Sequence, residues 1–457
     1  MQYLRTILLA AIVVALGAFI YLFERHQPTT EERQERSDKV FASFDQDKVR
    51  KIVVTNPSGR FELRKDANEW RLTAPIADLA NQGAVEGLLS TLAGLQAERS
   101  LPVAEAPLPS WGLDAPPLAV VAELEGGQSC TLKLGKPAAL GSARAATTDG
   151  TSVSFVSGVI ATDLEKGLKD WRSNQLLDRL FSTEVAAITV TFSGARVAVA
   201  HSGSLWTMTE PIADLADRER AEALIADLSA ATVKEFIDAP GPLAGYGLDP
   251  RAFDVTIRRT GEKGEPIVLS FGKERDGQGG KELACRRGDQ VLFIDAKAIE
   301  RARATATEWR AKKLVQFDSW AADSLAIEAG AAKVTLARKD GTFRNGSVAV
   351  DQEPVQSRLS VLAELEVKAF DQATPKGTPL GTIKIKAEHG AVVDATFFAG
   401  ATPDQALAVV PGRSGALAVD ATRVRELLAD PTALGKAKPA TTPVPSVPPA
   451  AGTASPK

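Results

Sequence analysis

The sequence predicts an α+β protein in which an N-terminal transmembrane helix precedes three tandem copies of one antiparallel-sheet-plus-helix module, the third copy being degenerate. Three observations lead to this fold class. A long uncharged apolar stretch lies near the start of the chain, a set of landmark phrases recurs at one spacing, and each copy combines alternating strand patterns with an amphipathic helical stripe. Runs of strands with a few helices favour an antiparallel α+β arrangement.

The apolar stretch, residues 6–23, reads "TILLAAIVVALGAFIYLF" and contains no charged residue. A bilayer span needs about 20 such residues. The stretch ends in bulky residues and not in the small-residue pattern of a signal-peptide cleavage site, so we predict a retained membrane anchor over residues 1–23. Residues 24–40 are polar and form a predicted stalk. Lys and Arg on the two flanks leave the orientation of the span open.

The repeated phrase is Thr-x-Pro-Ile-Ala-Asp-Leu-Ala, which follows Trp70 and again follows Trp206. Other landmarks recur at offsets of 135–138 residues: Trp111 and Tyr246 before Gly-Leu-Asp, Thr131 and Val268 at the start of "TLKLGK" and "VLSFGK", and Asp170 and Glu308 before Trp-Arg. Several landmarks at one offset and in one order indicate a duplication. We therefore divide the chain into module 1 (41–178), module 2 (179–316) and a shortened module 3 (317–434). The remaining residues, 435–457, form a Pro/Ala-rich tail that is predicted to be disordered.

Each module is predicted to begin with strand hairpins, to continue with one amphipathic helix and to add further strands, and each full copy is predicted to end in a closing helix. Asn81, Asp217 and Asp351 stand at the predicted N-caps of the amphipathic helices, since a short side-chain oxygen can accept a free backbone N–H. The repeated phrase is then a connector. In it, Pro75 or Pro211 fixes an extended turn between a Trp-bearing strand and the helix.

Composition excludes several functions. The net charge of −3 offers no basic face for nucleic acid. The few cysteines and histidines are far apart in sequence: Cys130, Cys285, His26, His201 and His389. They form neither a metal-ligand spacing nor a disulfide framework, although one disulfide between Cys130 and Cys285 stays open. We predict no cofactor, no metal site and no nucleic-acid partner.

One group invites a catalytic-triad interpretation: His201, Ser202, Ser204 and Asp214. However, His201 occupies the position that Lys65 and Arg338 hold in the other copies, which favours a solvated turn residue. His389 also falls in a predicted turn. The sequence therefore predicts no catalytic residue and no enzyme activity.

The remaining candidates favour structural roles. The glycine-rich segment from Arg275 lacks the spacing of a phosphate-binding loop. Two pairs of aspartates are expected to serve turns or caps: Asp45 with Asp47, and Asp114 with Asp249. Four tryptophans that recur at one offset are expected to fill equivalent cores and not to stack on ligands: Trp70, Trp171, Trp206 and Trp309.

The single span followed by "EWRLTAPIADLANQGAVEGLLSTLAGL", "WGLDAPPLAVVAEL" and "CTLKLGK" resembles the bacterial family called domain of unknown function 4340. The resemblance covers modules 1 and 2 and, more faintly, module 3. Trp111 departs from it mildly, since tyrosine is commoner there. Members are often encoded beside an ABC-2-type transporter and a gliding-motility-like auxiliary protein. The resemblance implies an envelope accessory protein with its modules outside the cytoplasmic membrane, and it implies no catalytic residues.

Two functions follow as hypotheses. The first is a membrane-anchored, non-enzymatic accessory or scaffold protein, single-pass in the inner membrane with periplasmic modules. Its partners would be the membrane, through residues 6–23, and an ABC-type permease or auxiliary subunit. The alternative is an extracytoplasmic ligand-binding protein or enzyme with a site between modules. That alternative requires polar residues that converge in one copy and break the repeat, for which the candidates are Arg258, Arg259, Arg286 and Arg287.

Overall fold

The computed structural model describes residues 38–138, 142–203, 205–251, 253–261, 265–387 and 392–437. The predicted anchor, most of the stalk, nearly all of the tail, Ser204 and His389 lie outside these residues. Within them, no helix has the length and apolar character to cross a membrane.

The chain divides into two compact units after Gln175. In the part of the chain that the structure describes, the first unit holds one nine-stranded antiparallel sheet and the second unit holds two. Leu176 and Leu177, which the repeat offset assigned to the end of module 1, pack in the hydrophobic core of module 2.

The three sheets have the same strand order, which is fourth, third, second, first, sixth, seventh, eighth, ninth, fifth. The strands of module 1 are β1 (Val49–Asn56), β2 (Gly59–Asp66), β3 (Glu69–Ala74), β4 (Asp78–Leu79), β5 (Ala97–Pro102), β6 (Leu118–Leu124), β7 (Ser129–Pro137), β8 (Ala143–Thr147) and β9 (Ser152–Ser157). Those of module 2 are β10 (Val185–Phe192), β11 (Ala195–Ser202), β12 (Leu205–Glu210), β13 (Asp214–Leu215), β14 (Val233–Ile237), β15 (Phe253–Arg259), β16 (Ile267–Gly277), β17 (Gly280–Arg287) and β18 (Gln290–Asp295). Those of module 3 are β19 (Ala322–Ala329), β20 (Ala332–Lys339), β21 (Thr342–Asn345), β22 (Val348–Ala349), β23 (Val367–Gln372), β24 (Gly381–Ala387), β25 (Val392–Ala399), β26 (Gln405–Val409) and β27 (Ala416–Asp420).

One long helix crosses a face of each sheet. The helices are Gln82–Ala93, Arg218–Ala230 and Gln352–Glu364. Each connects the fourth strand to the fifth, and these two strands are the opposite edges of the sheet. The predicted apolar stripe faces the sheet, as in module 1, where Val85, Leu88 and Leu92 share one buried core with Leu63 and Trp70. The predicted helices and their orientation are thus confirmed.

The predicted N-caps are also confirmed. The side chain of Asn81 accepts a hydrogen bond of 3.2 Å from the N–H of Ala84, and that of Asp217 accepts one of 3.0 Å from Arg220. Asp351 accepts a longer one, 3.4 Å, in module 3. Such caps stabilise a helix by about 1 kcal/mol each, so the connector phrase starts the helix as expected.

Two expectations need correction. Module 3 is not degenerate in structure, because its sheet has all nine strands in the common order. The closing segment of module 2 is not an α-helix but two 3-10 segments, Ala296–Arg303 and Thr307–Trp309. In module 1 the closing helices are Val159–Leu164 and Leu168–Trp171, and module 3 ends in Ala421–Leu428 and Pro431–Leu434.

The Gly-Leu-Asp and Gly-Lys landmarks meet in space. A Cβ atom on Gly135 of β7 would collide with the backbone oxygen of Trp111, and one on Gly272 of β16 would collide with that of Tyr246. A glycine recurs at this position because the 3-10 turn before Gly-Leu-Asp packs directly on the strand.

The turn itself explains the rest of the landmark. Gly112 and Gly247 end the two 3-10 turns with φ of +68° and +71°, a conformation that favours glycine. The leucines that follow are buried, whereas Asp114 and Asp249 are exposed. The glycines and leucines therefore account for the packing of the motif.

Candidate functional site

A buried aspartate–arginine ion pair is repeated in modules 1 and 2. Asp78, in the first copy of the repeated phrase, lies 2.5 Å from Nε of Arg172, and Asp214, in the second copy, pairs with Nε of Arg310. In both copies Oδ1 of the aspartate accepts a 2.7 Å hydrogen bond from the N–H of the leucine that follows it. The phrase and the Trp-Arg landmark recur together because each supplies one half of this ion pair.

Module 3 extends the ion pair of module 2 into a cluster. Nε of Arg413, in the loop between β26 and β27, donates to Oδ1 of Asp214, so two arginines share one carboxylate. Nη1 of Arg413 donates to the carbonyl oxygens of Lys313 and Leu314, both at 2.8 Å, and Nη2 donates to that of Ala311 at 2.9 Å. The side chains of Asp214 and Arg413 are fully buried. Module 3 is therefore bound to module 2 and to the connector between them.

A bulge in β23 holds the second arginine. The pairing of β23 with β27 shifts register between Ala369 and Gln372. Asp371, in this bulge, has φ of +54°, which aspartate tolerates better than most residues. Its Oδ2 lies 2.6 Å from Nη1 of Arg310, and the ring centroid of Phe370 lies 4.2 Å from the guanidinium carbon. The bulge thus aims both side chains at Arg310, as bulges often do.

The two arginines of the cluster face two carboxylates, those of Asp214 and Asp371. Burial lowers the pKa of the Arg413 guanidinium, and the carboxylate of Asp214 opposes that shift. Asp371 contributes the second negative charge from a largely exposed position. Removing one member of a buried ion pair costs about 3–5 kcal/mol, because the other charge stays buried without compensation. The cluster therefore favours one orientation of module 3 on module 2.

The entry of the chain into each module is also repeated. One backbone N–H near the start of each module donates to a carbonyl at the end of the long helix: Val40 to Leu95 at 2.9 Å, Leu176 to Ala231 at 2.9 Å, and Leu314 to Leu365 at 2.7 Å. Nη1 of Arg287 donates to the carbonyl of Leu176, as Nη1 of Arg413 donates to that of Leu314. In modules 2 and 3, therefore, the segment that enters the module bonds to the end of the long helix and also accepts a hydrogen bond from an arginine elsewhere in the chain.

Beside the cluster, a groove of about 630 Å³ lies between modules 2 and 3, within one compact unit. It is lined by the start of the long helix of module 2 (217–219), by the connector (311–318), and by Ala363 and Glu366 at the end of the long helix of module 3. Its volume is in the range of ligand-binding sites.

The charged lining of the groove breaks the repeat. Arg218, Glu219, Lys312 and Lys313 take the places that Gln82, Gly83, Asn174 and Gln175 hold in module 1. The lining involves other residues than the four arginines named for the alternative hypothesis. Those arginines lie on β15 and β17, with β16 between the two strands, and they do not line the groove.

His201 is not a solvated turn residue, contrary to the expectation. It lies in β11, half-buried, with its ring stacked on Trp206 at a centroid distance of 4.5 Å and its Nδ1 3.1 Å from the carbonyl oxygen of Val185. The basic residues at the equivalent positions also lie over an aromatic ring: Lys65 over Trp70 and Arg338 over Phe343. Asp214 is committed to Arg310 and Arg413, so the described members of the group, His201, Ser202 and Asp214, do not form a triad.

Most of the other sequence candidates lie in structural positions. Asp45 caps a 3-10 turn before β1, and Trp70, Trp171, Trp206 and Trp309 are buried. The glycine-rich segment is the hairpin tip between β16 and β17, where Arg275 pairs with Glu235 and Glu282 beside an open cavity of about 880 Å³. Both cysteines are free thiols. Across the described ranges, no group of three or more His, Cys, Asp or Glu could hold a metal ion.

The family model described as "Domain of unknown function (DUF4340)" matches residues 70–204 and 206–382, which together are more than half of the chain. The chain belongs to the DUF4340 family. Its second match begins at Trp206, the counterpart of Trp70 where the first begins, so the family domain itself occurs twice. No curated protein and no solved structure matches the chain. In this DUF4340 protein, both copies of the family domain carry the buried aspartate–arginine ion pair.

Proposed function

We propose that this DUF4340 protein is a membrane-anchored, non-enzymatic accessory or scaffold protein of the cell envelope, associated with an ABC-type transport system. The observation that supports the proposal is the buried cluster in which Asp214 is shared by Arg310 and Arg413. A scaffold must hold separate surfaces at a fixed spacing. Buried charges that are compensated in only one arrangement favour such a fixed spacing.

The start of module 1 fits a short membrane tether. Lys39 forms a strand-like bridge with Gln96, and the N–H of Val40 bonds to Leu95, so residues 39 and 40 are held on module 1. From Phe23 to Lys39 a chain can extend over at most about 56 Å. Under this proposal, module 1 stays near the periplasmic surface of the inner membrane, and modules 2 and 3 follow it in the sequence.

In-cell crosslinking of a tagged full-length chain tests the scaffold function. After solubilisation of the membrane, pull-down and mass spectrometry should recover an ABC-type permease or its auxiliary subunit. A matched chain that keeps residues 1–40 but lacks modules 1 and 2 should recover neither. Recovery of no stable partner by the full chain would contradict the proposal.

The groove between modules 2 and 3 favours a second candidate, an extracytoplasmic ligand-binding protein or enzyme. Native mass spectrometry of the purified chain tests it. A small molecule that co-purifies with the chain, and that is lost from a Lys313→Ala variant but kept by a Lys297→Ala variant, would favour this candidate over the scaffold. A chain that carries no such molecule, together with a recovered permease, would exclude it.

A further inference from the structure

In module 1, a glutamine at the first position of the long helix binds the backbone on two sides. Oε1 of Gln82 accepts a 2.9 Å hydrogen bond from the N–H of Trp70, in β3. Its Nε2 donates to the carbonyl oxygen of Trp70 at 2.9 Å and to that of Ala80, in the segment before the helix, at 3.2 Å. One side-chain amide thus connects the strand, the segment after it and the helix.

Module 3 repeats this arrangement with Gln352, the first residue of its long helix. Oε1 of Gln352 accepts from the N–H of Phe343 at 2.8 Å, and Nε2 donates to the carbonyls of Phe343 at 3.1 Å and Val350 at 2.7 Å. Val350 is the counterpart of Ala80, because the N–H of each donates to the carbonyl of the aromatic residue in the third strand. Both residues are buried, so the carbonyl needs a donor from the protein.

The long helix of module 2 begins with Arg218 in place of the glutamine. A guanidinium has no acceptor, and Nε of Arg218 donates to Oε1 of Glu222 at 2.9 Å in a pair that is partly exposed. Ala216, the counterpart of Ala80, is fully buried, and its N–H donates to the carbonyl of Trp206 at 2.9 Å. The carbonyl of Ala216 therefore needs a donor from another part of the chain.

That donor comes from the segment that enters module 3. Nε2 of Gln316 donates to the carbonyl oxygen of Ala216 at 2.7 Å. Gln316 lies between Val315, which is part of the core of module 3, and Phe317, which packs against that core. Oε1 of Gln316 is buried without a hydrogen-bond partner among the described residues. Gln316 thus replaces the donor of the missing helical amide and not its acceptor.

We propose that Gln316 is a latch by which module 3 completes module 2. If the segment that enters module 3 moves away, the buried carbonyl of Ala216 loses its donor, and an unpaired buried acceptor destabilises the fold. Modules 2 and 3 therefore open together at this point, whereas modules 1 and 3 carry the equivalent amide on their own helices. The inference goes beyond the scaffold function and holds whether or not the chain binds a permease.

Differential scanning calorimetry of the full chain, purified in detergent, tests the latch. Gln316→Ala is measured in three backgrounds: the wild type, Arg218→Gln and Arg218→Ala. In the wild type, Gln316→Ala should lower the melting temperature of the unit that holds modules 2 and 3 by about 2–4 °C more than it does in Arg218→Gln. The reason is that an amide at the first helical position then supplies the donor to Ala216, as Gln82 and Gln352 do in their modules.

Arg218→Ala is the matched control, because it also removes the pair with Glu222 but adds no amide. In that background Gln316→Ala should cost as much as in the wild type. An equal cost in all three backgrounds would overturn the proposal. If Gln316→Ala alone does not fold, recovery of folded chain by Arg218→Gln and not by Arg218→Ala supports the latch, and recovery by neither contradicts it.

Discussion

Asp214 is the residue on which the junction of modules 2 and 3 depends, because its two carboxylate oxygens face two different arginines. Asp214→Asn would leave Arg310 and Arg413 buried with their shared negative charge removed. We expect a loss of about 3–5 kcal/mol in the free energy of unfolding. Urea denaturation followed by tryptophan fluorescence measures it.

Asp371→Asn is the matched control for that substitution. It also removes a carboxylate from Arg310, but its side chain is 61% exposed, so water replaces much of the lost interaction. The expected loss is within about 1 kcal/mol. Equal losses for the two variants would contradict the central position assigned to Asp214.

Cys285 should resist alkylation in the folded chain. Full burial raises the pKa of its thiol to about 12, and the thiolate is the reactive form. The rate of iodoacetamide labelling at Cys285 should therefore stay low as the pH rises past 9 and should increase only towards pH 12. In denaturant it should increase near pH 9. The free energy of unfolding should therefore decrease as the pH rises from the pKa of the thiol in the unfolded chain towards its pKa in the folded chain. Rapid labelling of the native chain near pH 9 would contradict this burial.

At the scale of elements, two glycines should respond in opposite directions to alanine. In β16, a Cβ on Gly272 would collide with the backbone oxygen of Tyr246, so Gly272→Ala should lower the melting temperature by several degrees. Gly87 lies on the exposed side of the long helix of module 1 with no atom near its would-be Cβ. Gly87→Ala should stabilise by about 0.5–1 kcal/mol. Calorimetry of both variants checks the pair, and a neutral Gly272→Ala would contradict the close approach of turn and strand.

Local patterns predicted the elements that depend on neighbouring residues. The long helices, their N-caps and the hairpins follow from spacing within about 20 residues, and the structure confirms them. The short strands β4 and β13 carry no such pattern. Asp78 and Asp214, which lie in these strands, bind arginines 94 and 96 positions later in the chain. His201 was misplaced for a local reason: it pairs with Trp206 across the hairpin of β11 and β12, and the two rings stack.

For the whole molecule, the repeat offset predicted three modules but not their connection. Equal spacing of landmarks shows that a unit is copied, whereas the strand order, with the fourth and fifth strands at opposite edges, depends on pairing that no local pattern records. Arg413 lies 199 positions after Asp214 in a loop without a landmark, so the cluster could not be found from the repeat. For a site between modules the sequence offered only Arg258, Arg259, Arg286 and Arg287, none of which lines the groove, and Lys312 and Lys313, which do, were not among the candidates.

The junction of modules 2 and 3 should protect the connector from proteolysis. Lys312 and Lys313 are exposed and offer trypsin two cleavage sites. Their backbone is held by the hydrogen bonds of Arg413 and by the bridge of Lys313 to Glu366, and a protease needs a locally unfolded segment.

Arg413→Met removes the hydrogen bonds of Arg413 to the connector and leaves Asp214 paired with Arg310 alone. We expect cleavage after residues 312–313 to become at least about tenfold faster, if the lost contacts amount to more than about 1.4 kcal/mol of local opening free energy. Cleavage after Lys436, beyond the last closing helix, supplies an internal control that should not change. If both sites accelerate equally, Arg413 stabilises module 3 as a whole and does not specifically hold the two modules together.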